Sequence, residues 1–105
     1  MFKGMGDMFK QAAEMKSKMA EMQEELSKKQ VEASTGGGMV KVTANGNNEI
    51  LHVYIDEELI NMKDRAILED LVAGAMNEVH RKVKDLAQAE MTKLTGGIKI
   101  PGLFP

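Results

Sequence analysis

The stretch "TGGGMVKVTANG", residues 35–46, decides how the chain is read. Three consecutive glycines, Gly36 to Gly38, stand directly before an alternating run that sets Val40, Val42 and Ala44 on one face. A phosphate-cradling Walker A loop ends in Gly-Lys-Ser/Thr and opens a helix, whereas Gly38 is followed by Met39 and period-two alternation. The spacing also misses the G-x-G-x-x-G dinucleotide pattern. Glycine and asparagine tolerate positive φ, so the glycine run and "NGNN" (residues 45–48) read as turns on either side of a strand. With "QVEAST" before and "EILHVYI" after, the result is an antiparallel meander with strands at about 30–35, 39–45 and 48–55. The last strand sets Leu51, Val53 and Ile55 on one face and Ile50, His52 and Tyr54 on the other. The second face is therefore half apolar and fits cover by a helix or a second subunit.

On either side of this sheet the period changes to helical. Apolar positions Met5, Met8, Ala12, Met15, Met19, Met22 and Leu26 alternate spacings of three and four, a heptad stripe within a segment rich in helix formers. A helix over about 5–29 would be roughly 36 Å long, more than one small domain can cover, so the stripe implies a companion helix. Methionine suits such a seam because its flexible thioether fills uneven gaps. After "DEELINMKD", a break in which Asn61 and Asp64 are candidate helix caps, Leu68, Val72, Ala75, Val79, Val83 and Leu86 return to helical spacing. This predicts a second helix over about 62–94, stopped by Gly96–Gly97. Its first half should lie on the sheet and its second half should meet the first helix. The seam candidates are Met8, Met15, Met19, Met22, Leu26, Val83 and Leu86. The apolar tail 96–105, "GGIKIPGLFP", holds two prolines and leaves two readings, folded back on the helix pair or mobile.

A chain of 105 residues fits a single domain, 1–105, of the α+β class: helix, three-stranded antiparallel sheet, helix. Cysteine is absent, which removes disulfides and thiolate chemistry and suits a reducing cytosol. No apolar run approaches the roughly 20 residues of a membrane span, and "MFKGMGDMFK" is too polar for a signal peptide, so a soluble cytoplasmic protein is expected. The net charge of −2 hides a partition. Residues 1–20 carry four lysines against Asp7 and Glu14, a net +2. Residues 79–105 carry Arg81 and four lysines against Asp85 and Glu90, a net +3, and the middle carries −7. Pairing the two helices would gather the basic ends into one arm and leave the acidic middle at its base.

No catalytic constellation emerges. His52 and His80 are the only histidines and lack metal-ligand spacing. The acidic group Asp56, Glu57, Glu58 lacks the spaced oxygens of a cation loop and is better explained by helix-start electrostatics. The serines have no nucleophile motif. Neither enzyme activity, cofactor, metal nor small-molecule substrate is expected.

Taken together, "MFKGMGDMFKQAAEMKSKMAEMQEEL", "VEASTGGGMVKVTANGNNEILHVYID" and "GGIKIPGLFP" closely resemble the YbaB/EbfC family of bacterial nucleoid-associated proteins, in the same element order over essentially the whole chain. The resemblance implies an intertwined homodimer in which sheet regions associate and paired terminal helices project as arms. It implies DNA binding with little or moderate sequence preference, nucleoid organisation and gene regulation. The family's DNA-contacting residues lie on the terminal helices, and the matching basic positions are Lys3, Lys10, Lys16, Lys18, Arg81, Lys82, Lys84 and Lys93. Phosphate contacts by these side chains would release counterions and read backbone shape more than base edges. No recognition-helix pattern, aromatic array or zinc finger offers base readout. The competing expectation is an adaptor whose methionine-rich arms and apolar tail grip a protein partner.

Overall fold

A computed structural model describes the backbone of residues 2–94 and the side chains of residues 5–94. Helix α1 (Phe2–Lys28) leads into strands β1 (Gln30–Thr35), β2 (Val40–Asn45) and β3 (Ile50–Ile55). A single-turn helix α2 (Glu57–Asn61) and a long helix α3 (Arg65–Leu94) follow. The strands form an antiparallel sheet in the order β1-β2-β3.

The glycine run builds the β1–β2 turn. Gly36, Gly37 and Gly38 have φ of 61°, 65° and 92°, the left-handed region that side chains with a Cβ avoid. A Cβ on Gly36 would also lie 2.9 Å from Leu71 Cδ1, so the turn is pressed against α3. The turn sets the register, with Thr35 opposite Val40 and Gln30 opposite Asn45.

Alternation then delivers Ala33, Val40, Val42 and Ala44 to one face, where α3 adds Ala75, Val79 and Val83. All are 5% exposed or less. Each fully buried valine contributes about 1.5–3 kcal/mol, so this small cluster carries most of the hydrophobic driving force. Thr35 Oγ1 donates to Leu71 O at 2.7 Å and pins the end of β1 to the helix. Helix α3 packs on β1 and β2. Strand β3 is left as an uncovered edge, with Ile50, Leu51, Val53 and Tyr54 all between 37% and 48% exposed.

Two local readings of the sequence are revised. The expected alternation along β3 is interrupted: Thr43 faces His52, but the next residue, Ala44, faces Ile50. A bulge thus shifts Ile50 away from the face of His52 and Tyr54. The stretch 56–64 is also not a plain break. Asp56 accepts a hydrogen bond from Glu58 N at 2.8 Å and starts α2, whose single turn drops Leu59 into the core. The chain then turns at Lys63, with φ 55°, and Asp64 accepts from Ile67 N at 3.2 Å. Asp64 rather than Asn61 therefore caps the long helix, which begins at Arg65, not near residue 62.

The described chain is far from spherical. Its extents are 72 × 23 × 18 Å and its radius of gyration is 19.6 Å, against about 13 Å for a compact domain of this length. The length comes from α1 and the second half of α3, roughly 40 and 20 Å of helix at 1.5 Å per residue.

Candidate nucleic-acid interface

The arm begins at a socket built from backbone. Gly46, in the β2–β3 turn, donates its N–H to Leu26 O at 2.8 Å and to Lys29 O at 3.1 Å. Leu26 O, at the end of α1, also accepts from Lys29 N at 3.2 Å, so Gly46 joins the bonds that close the helix terminus. The approach is so close that a Cβ on Gly46 would sit 2.5 Å from Leu26 O. Asn47 Nδ2 adds a bond to Gln23 O at 3.2 Å. Leu26, 4% exposed, seals the joint.

A second tie crosses to α3, where Lys29 Nζ donates to Glu90. Glu90 is 7% exposed, so its charge requires this partner. The hydrogen bond from Lys29 holds the Glu90 carboxyl below the usual carboxylate range, against the opposing effect of burial. The same bond raises the Lys29 ammonium. Lys93 Nζ stands 3.5 Å from the same carboxylate.

Beyond the socket the two helices run antiparallel. Met22, Leu94, Glu90 and Lys93 share one crevice with Lys18 and Glu21, so α3 ends beside residues 18–22 of α1. The seam is consequently covered only in part. Leu26 and Val83 are buried, and Met19, Met22 and Leu86 are half-buried. Met15 and Met8, also expected in the dimer or helix seam, are 48% and 70% exposed in the single chain. The reason is length: α1 continues for more than a dozen residues past the point where α3 stops.

The expected DNA-contacting residues divide into two groups. Lys10, Lys16, Lys18 and Lys84 are exposed, and none has an acidic partner among the described residues. At about 100° per residue, Lys16 and Lys18 fall on opposite flanks of the methionine stripe and Lys10 lies on the back of the helix. Lys84 borders a groove of about 470 Å³ between α1, the β2–β3 turn and α3. The others are engaged. Arg81 pairs with Glu78, one turn away on α3. Lys82 Nζ donates to Glu32 O at 2.7 Å, and Lys93 faces Glu90. The side chain of Lys3 lies outside the described residues, as does the tail 96–105.

Several functional features were not anticipated from sequence. "NGNN" reads as a turn, and only the fold reveals that Gly46 is also the seat of α1. Glu90 contributes to a charge sum but anchors the arm. Besides the β3 residues, Ile60, Met62 and Ile67 are exposed, at 54%, 54% and 39%. Among the described residues no cluster of three or more metal-ligating side chains exists. No described helix is long and apolar enough to cross a membrane.

The fold and this surface define an α+β protein that holds free lysines on a projecting helical arm. The chain belongs to the YbaB/EbfC DNA-binding family, whose model matches residues 1–98. It is 47% identical over 74 residues to a nucleoid-associated protein of Pelotomaculum thermopropionicum, covering 70% of each chain. A nucleoid-associated protein of Anaeromyxobacter dehalogenans is 48% identical over 73 residues, 70% of this chain and 71% of that one. A crystal structure of an uncharacterized protein from Helicobacter pylori superposes with a TM-score of 0.77 at 22% identity, over 84% of this chain and 92% of that one. The family is one of DNA-binding proteins and not of enzymes.

Proposed function

We propose that the protein binds double-stranded DNA as a homodimer, mainly through phosphate contacts of low sequence specificity, and so contributes to nucleoid organisation and gene regulation in the bacterial cytoplasm. The observation that carries this reading is the set of unpaired lysines on the arm, Lys10, Lys16, Lys18 and Lys84, set apart from the acidic base. An exposed, unpaired lysine is fully available to replace a condensed counterion on DNA, whereas one already paired must first give up its carboxylate. Lys82 and Arg81 therefore rank as secondary contacts. The nucleoid assignment follows from relatives named as nucleoid-associated proteins.

The dimer is supported by surface. The single chain exposes 7826 Å², whereas a compact monomer of 11.6 kDa exposes about 5,800 Å². The excess sits on an open strand edge and on the arm. An apolar strand edge left unpaired invites aggregation unless something covers it. A second copy meeting along β3, over the face of Ile50 and Val53, would cover it and set two arms side by side.

The test is binding of an arbitrary duplex to the protein and to the triple charge reversal Lys10→Glu, Lys18→Glu, Lys84→Glu. Loss of affinity in the reversed protein, with helix content unchanged, supports the reading. Equal affinity refutes it. Salt-insensitive capture of a protein partner instead would favour the adaptor reading.

A further inference from the structure

The groove of about 470 Å³ between α1, the β2–β3 turn and α3 differs in charge from its surroundings. The chain has 16 acidic residues, yet no described carboxylate lines this groove. Its floor holds the buried Leu26 and Val83, and its exposed rim carries Asn47, Asn48, His80 and Lys84. His80 and Lys84 stand four residues apart on α3 and so share one face of that helix. The carboxylates of the three surrounding elements are engaged or turned elsewhere. Glu49 accepts from Asn45 Nδ2 at 2.9 Å, Glu78 pairs with Arg81, and Glu24 pairs with Lys28. Glu21 and Glu25 line the separate crevice beside Leu94, and Asp85 lies about 140° around α3 from His80. A cleft bordered by amides and cations suits an anion. We propose that it seats a phosphate of the DNA backbone between Lys84 and His80, with the imidazole binding in its protonated form. The inference rests on the DNA-binding reading above and adds His80 and the β2–β3 turn to the contact surface.

Asn48 decides which ring nitrogen carries the proton. Its Oδ1 lies 2.6 Å from His80 Nδ1 and can only accept, so Nδ1 donates and the neutral ring holds its proton there. The turn fixes Asn48 for this contact. Its backbone is left-handed, with φ 65°, a conformation asparagine tolerates, and its N–H donates to Asn45 O at 3.1 Å. Asn45 Oδ1 in turn accepts from Asn47 N at 2.9 Å and Glu49 N at 3.1 Å. Nε2, on the far side of the ring, is then a bare lone pair in the neutral form. Such a lone pair repels a phosphate oxygen, whereas after proton uptake the same atom becomes a charged donor. Phosphate binding and protonation of His80 therefore reinforce each other by the same factor. Lys84, one turn further along α3 and free of any described acidic partner, supplies the second cation.

The test is duplex affinity at about pH 5.5 and about pH 8, the interval in which histidine changes charge, at one salt concentration. The Lys29–Glu90 tie does not titrate in this interval, because the Glu90 carboxyl is held below the usual carboxylate range and the Lys29 ammonium is raised. A hydrogen bond to a charged group is worth about tenfold in affinity, so the intact protein should bind about tenfold more tightly at the lower pH. His80→Gln keeps a donor for Asn48 but takes up no proton, and should lose that gain. His52→Gln, at the other histidine of the chain, should retain it. Equal affinity of the intact protein at both pH values, or a gain that survives in His80→Gln, overturns the site while leaving DNA binding by the free lysines standing. Absence of binding at either pH overturns both. A second readout separates contact from a merely structural role: at the lower pH the Nε2 resonance of His80 should shift on addition of a short duplex, while that of His52 stays in place. An unmoved His80 resonance overturns the site.

Discussion

Replacing Gly46 by alanine probes the joint that aims the arm. The added Cβ would sit 2.5 Å from Leu26 O and 2.8 Å from Leu26 Cβ and Cδ2, nearly an ångström inside ordinary contact. The molecule has two ways to relieve this. Keeping the joint and absorbing the overlap costs about 1–3 kcal/mol, as for other insertions into packed sites. Releasing the end of α1 forfeits the Gly46 hydrogen bonds, about 1 kcal/mol net, and the burial of Leu26, about 1.5–3 kcal/mol. The first route is the less costly, so a loss of about 2 kcal/mol, the middle of its range, is expected. It should be local, because α1 makes its main contacts with α3, β2 and the turn that follows β2. Hydrogen exchange is the assay: amides of residues 22–29 should exchange about 30-fold faster, while β2 amides change far less. Gly6→Ala is the control. Gly6 lies within α1 with nothing near its Cβ position, so alanine there should stabilise by roughly 0.5–1 kcal/mol. Unchanged exchange over 22–29 in the Gly46→Ala protein would refute the socket.

Other consequences follow from the same contacts. The Glu90 carboxyl is lowered by Lys29, so its contribution is present above the ordinary carboxylate pKa and disappears as pH falls through the lowered value. The Lys29 ammonium is raised, so its share is present below the ordinary lysine value and is lost as pH rises through the raised one. Exchange protection at the end of α1 should accordingly fall in acid, and Glu90→Gln should abolish that acid limb. An unchanged limb would place the titration elsewhere. Leu59→Ala, at a residue 1% exposed, should cost about 2–5 kcal/mol in denaturant unfolding; a loss below about 1 kcal/mol would remove α2 from the core. Val53→Glu on the open face of β3 should halve the particle mass in sedimentation while leaving helix content intact. Retention of the parent mass would exclude β3 from the interface.

Much of this fold is legible in the sequence because its elements have clean periods. The stripe from Met5 to Leu26 can only be a helix, and three glycines in a row before Val40, Val42 and Ala44 can only shape a turn. The single turn of α2 was not legible, because five residues are too few for a period and the signal is one cap, Asp56, before one apolar residue, Leu59. The bulge at Thr43/Ala44 leaves no compositional trace. For the arm surface, the sequence supplies the list of cations but not their state. That Lys82 is spent on Glu32 O depends on a contact 50 residues apart in the chain, and that Lys29 already holds the Glu90 beside Lys93 depends on one 61 residues apart. The joint was hidden for the same reason, since Gly46 serves α1 across the whole of β1 and β2.

Sedimentation of the protein with and without a short duplex, at 50 and 200 mM salt, puts the central claim to its most direct test. The account predicts a particle of twice the 11.6 kDa chain that takes up duplex at the lower salt. Two arms, each with the four free lysines, give a log–log salt slope of about −7, so affinity should drop roughly ten-thousandfold between the two conditions. A single-chain particle, or a complex equally stable at both salts, would contradict it.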